Sequence, residues 1–106
     1  MPVTLAVQPS FAVDSAIGGS FGFASSAIAL PGTPSADSML RVCNLGSCHI
    51  AVALGTSSAV TVTQSTGLII PAGAVQYLTI GANTYIAGVA CGGPGNQSVV
   101  SLSTGN

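Results

Sequence analysis

Apolar and polar residues alternate with a period of two along most of this chain, and that rhythm selects strands over helices. Leu40, Val42 and Asn44 alternate with Arg41, Cys43 and Leu45. Val60 and Val62 alternate with Thr61 and Thr63. Val75, Tyr77 and Thr79 interleave with Gln76, Leu78 and Ile80, and Tyr85, Ala87 and Val89 with Thr84, Ile86 and Gly88. Successive side chains of a strand point to opposite faces, which produces this period. Many of the positions are β-branched or aromatic and suit a pleated, half-buried surface. Turn signals separate the runs: Asn44-Leu45-Gly46-Ser47, Gly55-Thr56-Ser57-Ser58, Pro71-Ala72-Gly73, Gly81-Ala82-Asn83 and Gly92-Gly93-Pro94-Gly95-Asn96.

The pattern predicts strands over 3–7, 21–30, 39–44, 49–54, 59–63, 67–70, 74–80, 84–90 and 98–103. Short strands with turns at this spacing predict an all-β fold, a small antiparallel β-sandwich or jelly roll with an N-terminal arm. The nearest approach to a helix start is Asp14-Ser15-Ala16-Ile17, and Gly18-Gly19 ends it at once. With 106 residues the chain fits one domain. Residues 1–20 read as an extended arm and 21–106 as the sandwich. Its most compact part is 39–106, with 21–30 as a strand that completes the sheet or crosses to a neighbour.

Charge decides which partners are excluded. Asp14, Asp37 and Arg41 are the only Asp, Glu, Lys or Arg residues, 3% of the chain, against ~25% in an ordinary soluble domain. Nucleic acid is not an expected partner, because phosphate binding needs several Lys or Arg contacts. Attachment to an anionic membrane fails for the same reason. A spanning helix wants ~20 mostly apolar residues, and the charge-free stretch 67–93 is broken by Pro71, Gln76, Asn83 and Thr84. Five aromatics are too few for the girdles of a membrane barrel. No Lys or Arg precedes Arg41, so the start lacks the basic region of a secretory signal. A mean hydropathy of +0.72 makes disorder a poor reading, because disordered chains are hydrophilic and charged. A surface with so little charge tends to associate, and the expectation is a chain covered by copies of itself or by a partner.

Candidate chemistry is thin. His49, an aspartate and a serine could form a triad only by geometry, and no Gly-x-Ser-x-Gly spacing occurs. Cys43 and Cys48 are separated by four residues, but the pair is not repeated and His49 follows directly, pointing to the opposite strand face from Cys48, which does not fit a zinc site. Cys43 and Cys48 can instead face each other across a short hairpin, leaving Cys91 over. Asp14 and Asp37 read as turn or cap residues. The glycine clusters lack the lysine of a phosphate loop. No enzyme activity, metal or cofactor is expected. Phe11, Phe21 and Phe23 read as core residues or as interchain anchors. Arg41 reads as a surface residue or as half of an interface ion pair, with Asp37 or a partner's carboxylate as its counterpart.

The run Leu40-Arg41-Val42-Cys43-Asn44-Leu45-Gly46-Ser47, followed by Ile50-Ala51-Val52-Ala53-Leu54-Gly55, resembles small structural proteins of tailed bacteriophages. The rhythm continues through a Ser/Thr-Val-Thr segment, an apolar pair before Pro71-Ala72-Gly73, the strand around Ala87–Ala90 and a last strand after a Gly-rich turn, covering residues 21–106. The three cysteines and the low charge depart from that pattern. The resemblance implies a β-sandwich or jelly-roll module in the virion, assembled in the host cytoplasm. Its expected role is a decoration or cement protein that bridges capsomers on the outer head surface. Its expected partners are the major capsid protein and further copies of itself, as a dimer or trimer. The alternative is a neck, collar or fibre component whose loops 55–58, 81–83 and 92–97 touch receptor glycans. A third expectation, amyloid-like self-assembly, is opposed by the six prolines and fourteen glycines.

Overall fold

The computed structural model describes residues 13–32, 38–91 and 96–105. Among them the chain forms eight strands and no helix: β1 Val13–Phe21, β2 Ser26–Ala29, β3 Met39–Asn44, β4 Ile50–Gly55, β5 Leu68–Ile70, β6 Val75–Thr79, β7 Tyr85–Ala90 and β8 Ser98–Gly105. They build two four-stranded sheets. Sheet A has the order β1-β8-β3-β6 and sheet B the order β2-β7-β4-β5. Every pairing is antiparallel. First pairs with last, second with seventh, third with sixth and fourth with fifth. This nested winding is the jelly-roll form of the β-sandwich.

The core lies between the sheets and follows the period of two. Leu40, Val42, Val100 and Leu102 come from sheet A, and Ile50, Val52, Ile70 and Ile86 from sheet B. Burying each such side chain contributes roughly 1.5–3 kcal/mol. Phe21 closes one end of this core. Its ring occupies the space that a Cβ on Gly88 would need, so any side chain at 88 forces the ring to shift.

The strand assignments differ from the sequence expectation in three places. Residues 59–63 are not a strand. The connection 56–67 runs as turns over the outer side of sheet B, and the Val62 N–H is bonded by the Ser25 hydroxyl oxygen at 3.0 Å instead of a neighbouring strand. The alternation there is still meaningful, because Val60 and Val62 pack on Ala51, Ala87 and Val89 in a second apolar cluster. The expected strand 21–30 is divided: Phe21 ends β1, and β2 begins at Ser26. Residues 13–20, expected as the end of an arm, form most of β1. Gly18 and Gly19, read as a break, sit mid-strand opposite Ser101 and Val100. The expected strand 3–7 lies outside the described residues.

Candidate functional site

The chemically capable side chains are dispersed. Asp14 is exposed in β1 and His49 is exposed just before β4. Asp37 lies outside the described residues. Cys43, Cys48 and Cys91 are free thiols, all half-buried, so the hairpin pairing of Cys43 with Cys48 is not formed. Burial, and secondarily the neighbouring Cys48, pushes the Cys91 thiol above its ordinary range. Among the described residues no group of three His, Cys, Asp or Glu side chains converges as a metal site would require. No helix among them is long and apolar enough to cross a membrane.

What the fold does build is surface. The 56–67 connection covers the outer side of sheet B, as the second apolar cluster shows. The outer face of sheet A is exposed in part: Ser103 and Gly105 are buried there, whereas Val75, Tyr77 and Val99 are not. That face follows from the alternation: β3 turns Arg41 and Cys43 outward, β6 turns Val75 and Tyr77, and β8 turns Val99 and Ser101. Val75, Tyr77 and Val99 are large apolar residues left exposed there. Arg41 is half-buried in the middle of this face, directly between Tyr77 of β6 and Ser103 of β8. Its guanidinium Nη2 donates to the Ser103 hydroxyl at 3.4 Å.

Strand β1 forms one edge of sheet A, and among the described residues no strand pairs with its outer side. At nine residues it is longer than the other three edge strands, β6 with five, β2 with four and β5 with three. Native proteins blunt such edges with lysine, proline, charge or a bulge. β1 carries no lysine or proline. Its single charge, Asp14, sits at a register shift between Val13 and Ser15, near one end. From Ser15 to Phe21 the edge is regular and uncharged. Ile17 points toward the space between the sheets yet remains 43% exposed.

The four expected anchor residues fall in different places. Phe21 is fully buried within the single chain, so it serves the core and is not an interchain anchor. Phe23 is exposed in the β1–β2 turn. Arg41 lies on the outer face of sheet A, and Phe11 lies outside the described residues. The edge of β1 escaped the sequence reading because Gly18-Gly19 reads as punctuation when no partner strand is known. Comparison with protein-family models and with curated proteins finds no match to this chain.

Proposed function

We propose that the chain is a non-enzymatic structural module of a tailed-phage virion. In this reading it is a decoration or cement protein on the outer head surface, bridging capsomers through the major capsid protein and through its own copies as a dimer or trimer. The observation that carries the reading is the nine-residue edge of β1, regular and uncharged over most of its length. An open edge of this kind gains main-chain hydrogen bonds by adding a strand from a neighbour. The outer face of sheet A, with Tyr77, Val75 and Val99, supplies apolar area beside it.

Two further points support the assignment to a virion. The jelly-roll winding recurs in viral capsid proteins, although fold alone does not determine function. The sequence rhythm from Leu40 to Gly55 resembles that of small phage structural proteins. Contacts that are individually weak become strong when symmetry repeats them over a shell. The test is the thermal stability of heads with and without the protein. Heads lacking it are expected to open at lower temperature and to regain stability on adding the purified chain. Identical melting of bare and decorated heads overturns the cement role.

A further inference from the structure

We propose that the outer side of sheet B carries a binding site for a neutral saccharide, in the cleft between the β1–β2 turn and the 61–65 segment. The cleft has a volume of about 570 Å³ and is lined by Phe23 and Ser25 from the turn, Thr61 to Ser65 from the long connection, and Val89 from β7. Its chemistry is of two kinds. Val62 and Val89 are buried and apolar, and Phe23 leaves 47% of its surface open. Thr61, Thr63, Gln64 and Ser65 are exposed hydroxyl and amide side chains. No charged residue is among the lining residues.

That composition selects the ligand class. With no cation in the lining, a phosphate or carboxylate finds no counter-charge. A wholly apolar ligand would strip water from the hydroxyls and from Gln64 without replacing its hydrogen bonds. A neutral sugar offers both surfaces at once: a face of C–H groups that stacks on an aromatic ring, and hydroxyls that donate and accept around its rim. Sites for small ligands share this design of an apolar lining with a few placed polar groups.

The site is held in shape by its own bonds. The Thr63 hydroxyl is bonded to the hydroxyls of Ser65 and Thr66, at 3.2 and 2.9 Å. The Thr66 and Gly67 N–H groups donate to the Thr63 carbonyl. Ser25 Oγ accepts from Val62 N–H and so fastens the segment to the turn that bears Phe23. Among the described residues the Ser25 hydroxyl hydrogen has no acceptor, and Gln64, whose Nε2 donates to the Ala90 carbonyl at 3.5 Å, has no donor to its Oε1. Long irregular connections that are ordered in this way are commonly functional. The alternative reading places glycan contact at loops 55–58, 81–83 and 92–97; none of their described residues lines this cleft. The site is also separate from the β1 edge and from the outer face of sheet A, so it stands or falls independently of the assembly role.

The experiment is saturation-transfer NMR and titration of the full chain with maltohexaose and with chitotetraose, using tetragalacturonate as the charged control. The expected result is binding of at least one neutral oligosaccharide with a dissociation constant on the order of 1 mM. Phe23→Ala is expected to weaken it about tenfold or more and Gln64→Ala severalfold, with Phe23→Tyr retaining it. Tyr77→Ala, on the other sheet, leaves it unchanged. Phe23 is exposed, so its removal does not threaten the fold. Absence of binding to both neutral sugars overturns the proposal, as does equal binding by Phe23→Ala. Concentration-dependent shifts of the Phe23 ring without sugar also overturn it, because they make the cleft an interface between copies.

Discussion

The Ser98 hydroxyl, at the start of β8, donates to the side-chain oxygen of Asn44, at the end of β3, with both residues fully buried. Asn44 Oδ1 also accepts from the Gly46 N–H at 3.1 Å. Its Nδ2 donates to the carbonyls of Cys48 at 2.9 Å and Ile70 at 3.0 Å. Two donors and two acceptor positions are thereby all used, the full capacity of a primary amide. The Ile70 contact crosses from sheet A to sheet B, so this one side chain ties the two sheets together at the turn end of β3. Gly46 is required beside it, because a side chain there would overlap the Ser98 hydroxyl.

Replacing Asn44 leaves several buried polar groups without partners, and each such group costs about 1–3 kcal/mol. Asn44→Ala is expected to destabilise the fold by about 3 kcal/mol or more in urea unfolding. Ser98→Ala is expected to cost about 1 kcal/mol in the native chain and clearly less in the Asn44→Ala background, because the two share one bond. Additive costs in that double-mutant cycle would show that the pair is not coupled.

A methyl group at position 88 meets the Phe21 ring directly. Gly88→Ala is expected to lose about 1–3 kcal/mol through overpacking. Shortening the ring residue, as Phe21→Leu, should recover part of that loss in the double variant while being destabilising alone. A Gly88→Ala protein as stable as the native one would mean that the ring is free to move aside.

The edge of β1 is tested by giving it the protection it lacks. Ile17→Lys places a charge on the strand at a side chain that is already partly exposed. Such charges oppose edge-to-edge pairing. The native chain is expected to associate with rising concentration in sedimentation velocity, and Ile17→Lys to remain monomeric with nearly unchanged melting. Equal association of both proteins would move the interface away from β1.

Burial holds the Cys91 thiol above its ordinary value of 9.0, with Cys48 adding to the effect. A raised acid releases its proton earlier in the unfolded chain than in the folded one. Stability is therefore lost as pH climbs past about 9, until the folded thiol also ionises. Urea midpoints are expected to fall as pH rises past about 9, and Cys91→Ala to flatten part of that fall. An unchanged slope in the variant would assign the alkaline sensitivity to other groups.

Much of this fold is legible in the sequence, for reasons visible at particular residues. β3 alternates cleanly because one of its faces is core and the other is the outer face of sheet A, so Leu40 and Val42 separate from Arg41 and Cys43 without any knowledge of partners; β7 keeps the period although both of its faces are buried. Asn44 continues the inward stripe of Leu40 and Val42, and a polar residue in that phase is the available sign of the buried amide. The segment around Val60 and Val62 misleads because packing on the outside of a sheet produces the same period as pairing within it. β1 is obscured by Gly18-Gly19, which mean a turn locally and a tolerated strand pair once β8 lies alongside. The cleft at Phe23 depends on residues 61–65 crossing the sheet to reach 23–25, and no local pattern records such a meeting.

The central claim is that the chain is a component of a particle, and copy number tests it most directly. Quantitative mass spectrometry of gradient-purified virions is expected to find the protein at a ratio approaching that of the major capsid protein. Its absence from such particles would contradict the account.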